Sequence, residues 1–163
     1  MPNVTFARVD HRLIHGQVIT KWSKIANAQK ILIVDDMLGQ DSFMVDIYKM
    51  AAPSGIEVDI MTAEEAGAAF KNDTLGDMNI FALYKSIAMA RKAYDAGFKL
   101  NELQLGGVPA EAGRKIVFQA VALNDDDVAD ITHLHDEGVE VTLQVVPEEA
   151  KMSFDEAIKK YNA

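Results

Sequence analysis

Residues 8–17 read RVDHRLIHGQ and bring Arg8, Asp10, His11, Arg12 and His15 within eight positions, followed at once by Gly16 and Gln17. An imidazole flanked by guanidinium groups suits phosphoryl chemistry. Neutral imidazole attacks phosphorus, and the charges of Arg8 and Arg12 favour the unprotonated ring. The same arginines can then hold phosphoryl oxygens through charge-assisted bonds of roughly 1.5–3 kcal/mol each. His15, where loop should give way to helix, is the expected acceptor; Asp10 is expected to orient an arginine or the imidazole. One nucleophile suffices, so His11 reads as part of the surrounding loop with Gly16 and Gln17. The plainer alternative is a histidine bonded to a helix end among surface salt bridges. His11 and His15 are spaced like a helical zinc pair, but no third ligand follows and a loop is expected through both, so no metal is assigned.

A second acidic group, Asp35 and Asp36, follows the apolar run KILIV, and Lys85 follows NIFALY. These resemble the acceptor carboxylates and lysine of a receiver-type signalling domain phosphorylated on Asp35 or Asp36. Such a domain carries its acidic pair after the first strand and its acceptor after the third, where this chain has Arg8 and Thr62. The three residues are therefore expected to line the rim of the cleft that holds His15. A noncatalytic anion- or nucleotide-binding regulatory domain remains a further alternative, although Gly16 alone does not make a G-x-G-x-x-G turn. Asp125, Asp126 and Asp127 lack the alternating ligands of a calcium loop. The glycine pair in LGGVP (105–109) would let backbone come close to a neighbour.

The elements that must position these residues alternate along the chain. Near-continuous apolar runs at 4–9, 30–35, 57–62, 79–84, 102–107, 115–123 and 139–146 read as strands covered on both faces. Helical patterns lie between them. Thr62 with Glu65 and Ser153 with Glu156 fit capping boxes, Ser86 and Asn124 fit N-caps, and Gly138 fits a helix stop. After His15 the pattern places Val18, Ile19, Trp22 and Ile25 on one helical face, and Met50, Met61, Met78 and Met89 read as core filler. The expectation is an α/β fold: one domain over residues 1–163, a doubly wound, mostly parallel sheet of six or seven strands, and helices on both faces. The loop after the first strand would then sit at the carboxyl end of the sheet, where a helix N-terminus offers free N–H groups to an anion.

Composition narrows the chemistry. The 163 residues include no cysteine, which removes thiolate nucleophiles and thiolate metal sites. No apolar run approaches the ~20 residues needed to span a bilayer, and MPNVTF lacks the features of a secretory signal, so a cytoplasmic protein is expected. A net charge of −9 argues against nucleic acid as a partner. The charge is uneven: the first 30 residues hold five basic side chains against Asp10 alone. A basic island in an acidic chain suits reception of a small anion or an acidic partner.

The stretch RVDHRLIHGQVITKWSK closely resembles the N-terminal signature of the IIB components of the mannose/fructose/sorbose family of the bacterial phosphoenolpyruvate-dependent sugar phosphotransferase system. Downstream, LQLGGVPAEAGRKIVFQAVALNDDDVADITHLHDEGVEVTLQVVP resembles that family in the order and spacing of its glycine pair, basic turn and closing VP. The resemblance covers nearly the whole chain. It implies that His15 is the phosphorylated histidine and that Arg8, Asp10, Arg12, Gly16 and Gln17 belong to its loop. It also implies a protein-phosphohistidine–sugar phosphotransferase, a phosphocarrier that receives its group from a IIA domain. The carrier passes it to a sugar translocated by membrane IIC and IID components, associates peripherally with them, and needs no cofactor. The family commonly has a second acidic residue where this chain has His11, which makes this loop more basic.

Overall fold

Strand β1 (Asn3–Asp10) is the middle strand of the main sheet, and its second half, Ala7–Asp10, is buried. The computed structural model describes residues 2–16 and 18–163, apart from the side chain of Ile19. Around β1 lie β2 (Lys30–Val34), β3 (Glu57–Met61), β4 (Asn79–Tyr84), β5 (Glu102–Gly107), a separate hairpin of β6 (Lys115–Phe118) and β7 (Val121–Leu123), then β8 (Glu140–Leu143) and β9 (Met152–Ser153). The seven-stranded sheet has the order β3-β2-β4-β1-β5-β8-β9. Every pairing in it is parallel except that of β9 with β8. The carboxyl ends of β2, β4, β1, β5 and β8 therefore share one edge.

Alternation along each strand divides the core in two. Ile31, Ile33, Phe81 and Leu83 face one side with Leu13, Val18 and Trp22; Leu32, Val34, Ile80, Ala82 and Tyr84 face the other. The second face is covered by α4 (Ala63–Lys71), α5 (Ile87–Asp95), α6 (Asp125–Asp136) and α7 (Phe154–Tyr161). The first is covered by the segment after His15 and by α3 (Ser42–Met50), which follows the short α2 (Asp36–Gly39). The doubly wound α/β architecture is thus present with helices on both faces. Thr62 and Glu65 form the expected reciprocal cap, and Ser86 caps α5. Asn124 forms a full capping box with Asp127, which a reading of Asn124 alone does not anticipate. No described helix is long and apolar enough to cross a membrane.

Three expectations need correction. The run 115–123 is not a strand of the main sheet: it folds back at Gln119, whose φ is +42°, and makes an antiparallel hairpin. The helix after His15 begins as a π-helical segment, Val18–Trp22, before α1 (Ser23–Ile25). Its wider turn shifts the helical phase, so Val18, Trp22 and Ala26, spaced by four, are buried, whereas Ile25 is 58% exposed. Met50 is 86% exposed and fills no core.

Candidate functional site

Neighbouring connections leave the sheet on opposite faces beside β1, because the π-helical segment following β1 packs on one side and α5 following β4 packs on the other. Ligand sites of open parallel sheets form in the crevice that such divergence opens. The loop 11–15 enters it from the end of β1. Its first half is pinned: the His11 N–H donates to the Gly107 carbonyl at 3.0 Å, and Leu13 N–H returns to the Asp10 carbonyl at 3.0 Å. Leu13 adopts φ +58°, a conformation costly for a branched residue. Its side chain is fully buried in the core, and burying a leucine contributes about 1.5–3 kcal/mol, enough to offset that strain.

Asp10 is the hub of the site and is fully buried. Its Oδ1 accepts from the Arg12 N–H at 3.1 Å and from Arg12 Nε at 3.3 Å. Its Oδ2 lies 2.9 Å from His15 Nε2 and accepts from Arg8 at 3.4 Å and Arg12 at 3.4 Å. Burial by itself would push this carboxyl up. The His15 hydrogen bond, the Arg8 charge and the two Arg12 hydrogen bonds together outweigh it, and the net displacement is downward. A carboxylate can only accept, so Nε2 of His15 carries a proton. In the neutral ring this leaves the Nδ1 lone pair free. The His15 side chain is 18% exposed, and a side chain on the adjacent Gly16 would start in space that no other part of the fold occupies within 4 Å, its chain neighbours and local helix backbone aside.

The two arginines do different things. Arg12 is half-exposed and presents its guanidinium at the surface while bonded to Asp10. Arg8 is not placed to meet an incoming anion, which corrects the expectation that both arginines hold phosphoryl oxygens. It is fully buried, donating to the Gln104 side chain, the Gln144 carbonyl at 2.9 Å, the Val145 carbonyl at 3.0 Å and Asp10. Its guanidinium also lies 4.8 Å from the centre of the Trp22 ring. Burial lowers the Arg8 group to about 10, against the opposing effect of Asp10, so it remains a cation at neutral pH. Arg8 is therefore a positioning residue: it ties the segment at 144–145 to the Asp10 carboxylate. Trp22 Nε1 donates to the same Val145 carbonyl at 3.4 Å.

The glycine pair makes this possible. A Cβ on Gly106 would overlap the Arg8 guanidinium, and one on Gly107 would come within 2.7 Å of Asp10 Oδ1. Strand β5 thus passes directly beneath both charged groups. Gln104 is the residue that reasoning from chemistry types overlooked; a glutamine inside the buried run ELQLGG was its signal. Gln17 lies outside the described residues. His11, Asp35 and Lys85 line one pocket beside the site. Asp35 also caps α2 by accepting from Leu38 N–H at 3.0 Å. Asp36 does not join them: its carboxylate accepts from Ala63 N–H at 2.9 Å and pairs with Lys92 at 2.5 Å, which draws it toward α4 and α5.

The Asp10 displacement has a testable sign. A carboxyl lower in the folded than in the unfolded chain contributes stability that is complete above the unfolded value of about 3.9 and is lost as pH falls through the folded one. Urea unfolding of wild type and Asp10→Asn between about pH 6 and pH 3 is expected to show the gap between them narrowing with acid. A gap that stays constant would mean that Asp10 is not held as an ion.

Comparison with known proteins places these features in context. A family model described as the sorbose subfamily IIB component of the phosphotransferase system (PTS) matches residues 4–163. The chain is 38% identical over 143 residues to the PTS system sorbose-specific EIIB component of Lacticaseibacillus casei, covering 88% of this chain and 87% of that one. It is 25% identical over 157 residues to the PTS system mannose-specific EIIAB component of Escherichia coli (strain K12), covering 96% of this chain and 49% of that one. The crystal structure of manxB from Thermoanaerobacter tengcongensis superposes with a TM-score of 0.90 at 36% identity, covering 100% of this chain and 99% of that one.

Proposed function

The chain belongs to the sorbose subfamily of phosphotransferase-system IIB components, subunits of sugar phosphotransferases, and from that premise we propose that His15 is its phosphoryl carrier, attacking through Nδ1. The observation that carries this reading is the 2.9 Å contact between His15 Nε2 and the buried carboxylate of Asp10. It holds the ring in one tautomer and one orientation, as the aspartate of a nucleophile–base pair does.

The Nδ1 lone pair attacks phosphorus of a donor phosphohistidine, the P–N bond to the donor breaks, and its electron pair returns to the donor imidazole. The His15 ring gains positive character as the new P–N bond forms. The Nε2–H bond to Asp10 stabilises that charge, and the half-exposed Arg12 guanidinium meets the phosphoryl oxygens. In the second step a sugar hydroxyl attacks the same phosphorus, the P–N bond breaks with its electron pair returning to His15 Nδ1, and the hydroxyl proton is released to solvent. Little covalent work falls to the protein beyond positioning and charge.

The donor in this reading is a IIA domain and the acceptor a sugar handled by membrane IIC and IID partners. The mannose-specific EIIAB relative supports the first, since its name joins IIA and IIB functions in one chain. A carrier serving such partners works in the cytoplasm, at the face of the transport complex. Incubation with phosphoenolpyruvate, the general phosphotransferase proteins and a family IIA domain tests the reading. Peptide mass spectrometry and ³¹P NMR under alkaline conditions should find one phosphate on His15, at Nδ1 and dependent on the IIA domain. Phosphate elsewhere, or none with partners active on another IIB protein, would overturn it and favour a noncatalytic anion-binding domain.

A further inference from the structure

Beside the Asp10 hub lies a pocket of about 390 Å³ whose walls include His11, Asp35, Lys85, Ser86, Glu111 and Arg114. His15 is not part of its lining. The two sites share a wall at Gly107, where an added Cβ would come within 2.7 Å of Asp10 Oδ1 and 3.3 Å of His11 Nδ1. The polar groups of the pocket differ in what they have left to offer. Asp35 accepts from Leu38 N–H through one carboxylate oxygen, Ser86 Oγ accepts from Met89 N–H, and Arg114 is neutralised by Glu111 and Asp127. Among the described residues the Lys85 ammonium has no hydrogen-bond or ion-pair partner, and neither ring nitrogen of His11 has one.

The His11 ring adds direction to that excess. Its Nδ1 is sealed from solvent with no partner, the worse place for a proton, so the neutral ring keeps its N–H on Nε2, the nitrogen left open. With Arg114 already paired, the unpartnered Lys85 ammonium and the His11 N–H are the groups left to receive a negatively charged, acceptor-rich ligand. The pocket's volume lies at the lower end of the roughly 300–1,000 Å³ range of small-molecule sites and is far larger than the ~30 Å³ share of one water molecule. It has room for an oxyanion together with a compact organic body.

We propose that this pocket binds a small phosphate-bearing anion, held by Lys85 and the His11 imidazole, at a site separate from the carrier histidine. The ligand is inorganic phosphate or a phosphate monoester of monosaccharide size, the kind of product that phosphoryl transfer to a sugar creates. Occupancy would place negative charge beside the shared wall and so oppose arrival of a second phosphoryl group. The binding itself does not depend on His15 being the carrier.

Calorimetric titration of the full chain with inorganic phosphate, glucose 6-phosphate and glucose tests this, with ¹⁵N NMR of the histidine rings read in parallel. The expected result is saturable binding of at least one phosphate, a shift of the His11 resonances, and none with glucose. Tighter binding of the ester than of inorganic phosphate would identify the organic body as part of the ligand. Lys85→Gln alters an exposed side chain and should weaken binding about tenfold or more, as loss of one charge-assisted bond does. His11→Asn should weaken it as well, and His15→Ala should leave it unchanged. No saturable binding of either phosphate, binding indifferent to Lys85→Gln, or binding lost with His15→Ala would each overturn the proposal.

Discussion

A His15→Ala protein is expected to fold normally and to accept no phosphate. The nucleophile would be gone, and no other group at the site could replace it: Arg12 is a permanent cation, Asp10 is buried and held by Arg8 and Arg12, and His11 faces a different pocket. Folding should survive, because Asp10 keeps Arg8 and Arg12 and only one hydrogen bond to a charged group, of about 1.5–3 kcal/mol, is lost. Asp10→Asn separates orientation from nucleophilicity. Its amide can present either an acceptor or a donor to Nε2, so the tautomer is no longer held, and transfer is expected to slow by roughly 10²–10⁴-fold without vanishing. Single-turnover transfer from a phosphorylated IIA domain, with circular dichroism to verify folding, measures both. Phosphate acceptance by His15→Ala at the wild-type rate would remove His15 from the mechanism.

The different fates of the two arginines mark how far residue types can be read from the chain. Apolar runs identified the strands that build the sheet because burial on both faces leaves a direct trace in composition. RVDHRLIH likewise marked the cluster around Asp10, since ionisable residues gather at a strand end only at some cost. Sequence spacing, however, does not separate a buried arginine from an exposed one. Arg8 lies two residues before Asp10 on an extended strand and so shares its side of the sheet, whereas Arg12 lies beyond the strand end, in the loop. Telling them apart required knowing that β5 lies alongside and brings Gln104 and two glycines under the guanidinium. The hairpin at 115–123 escaped for a related reason: its turn is at Gln119, with none of the glycine, asparagine or aspartate that announces a positive φ. A π-helical phase shift after His15 leaves no compositional trace at all.

Gly106→Ala should be among the most damaging single-methyl changes in this chain, although residue 106 touches no phosphate. The added carbon would occupy the position of the Arg8 guanidinium, which cannot retreat: it is bonded to Gln104, Gln144, Val145 and Asp10 and lies against Trp22. Moving it would unpair a buried charge, and disrupting such a pair costs about 3–5 kcal/mol. Phosphate acceptance should fall as well, because Asp10 loses one of the groups that hold it under His15. If the clash with Arg8 is the cause, Gly106→Ala should cost about 2–3 kcal/mol less in an Arg8→Leu background, whose shorter side chain ends before the contested space. Urea unfolding of the four proteins measures that coupling. Equal losses in both backgrounds would place the damage in the β5 backbone instead, and Arg8 would then not be the reason that this strand carries a glycine.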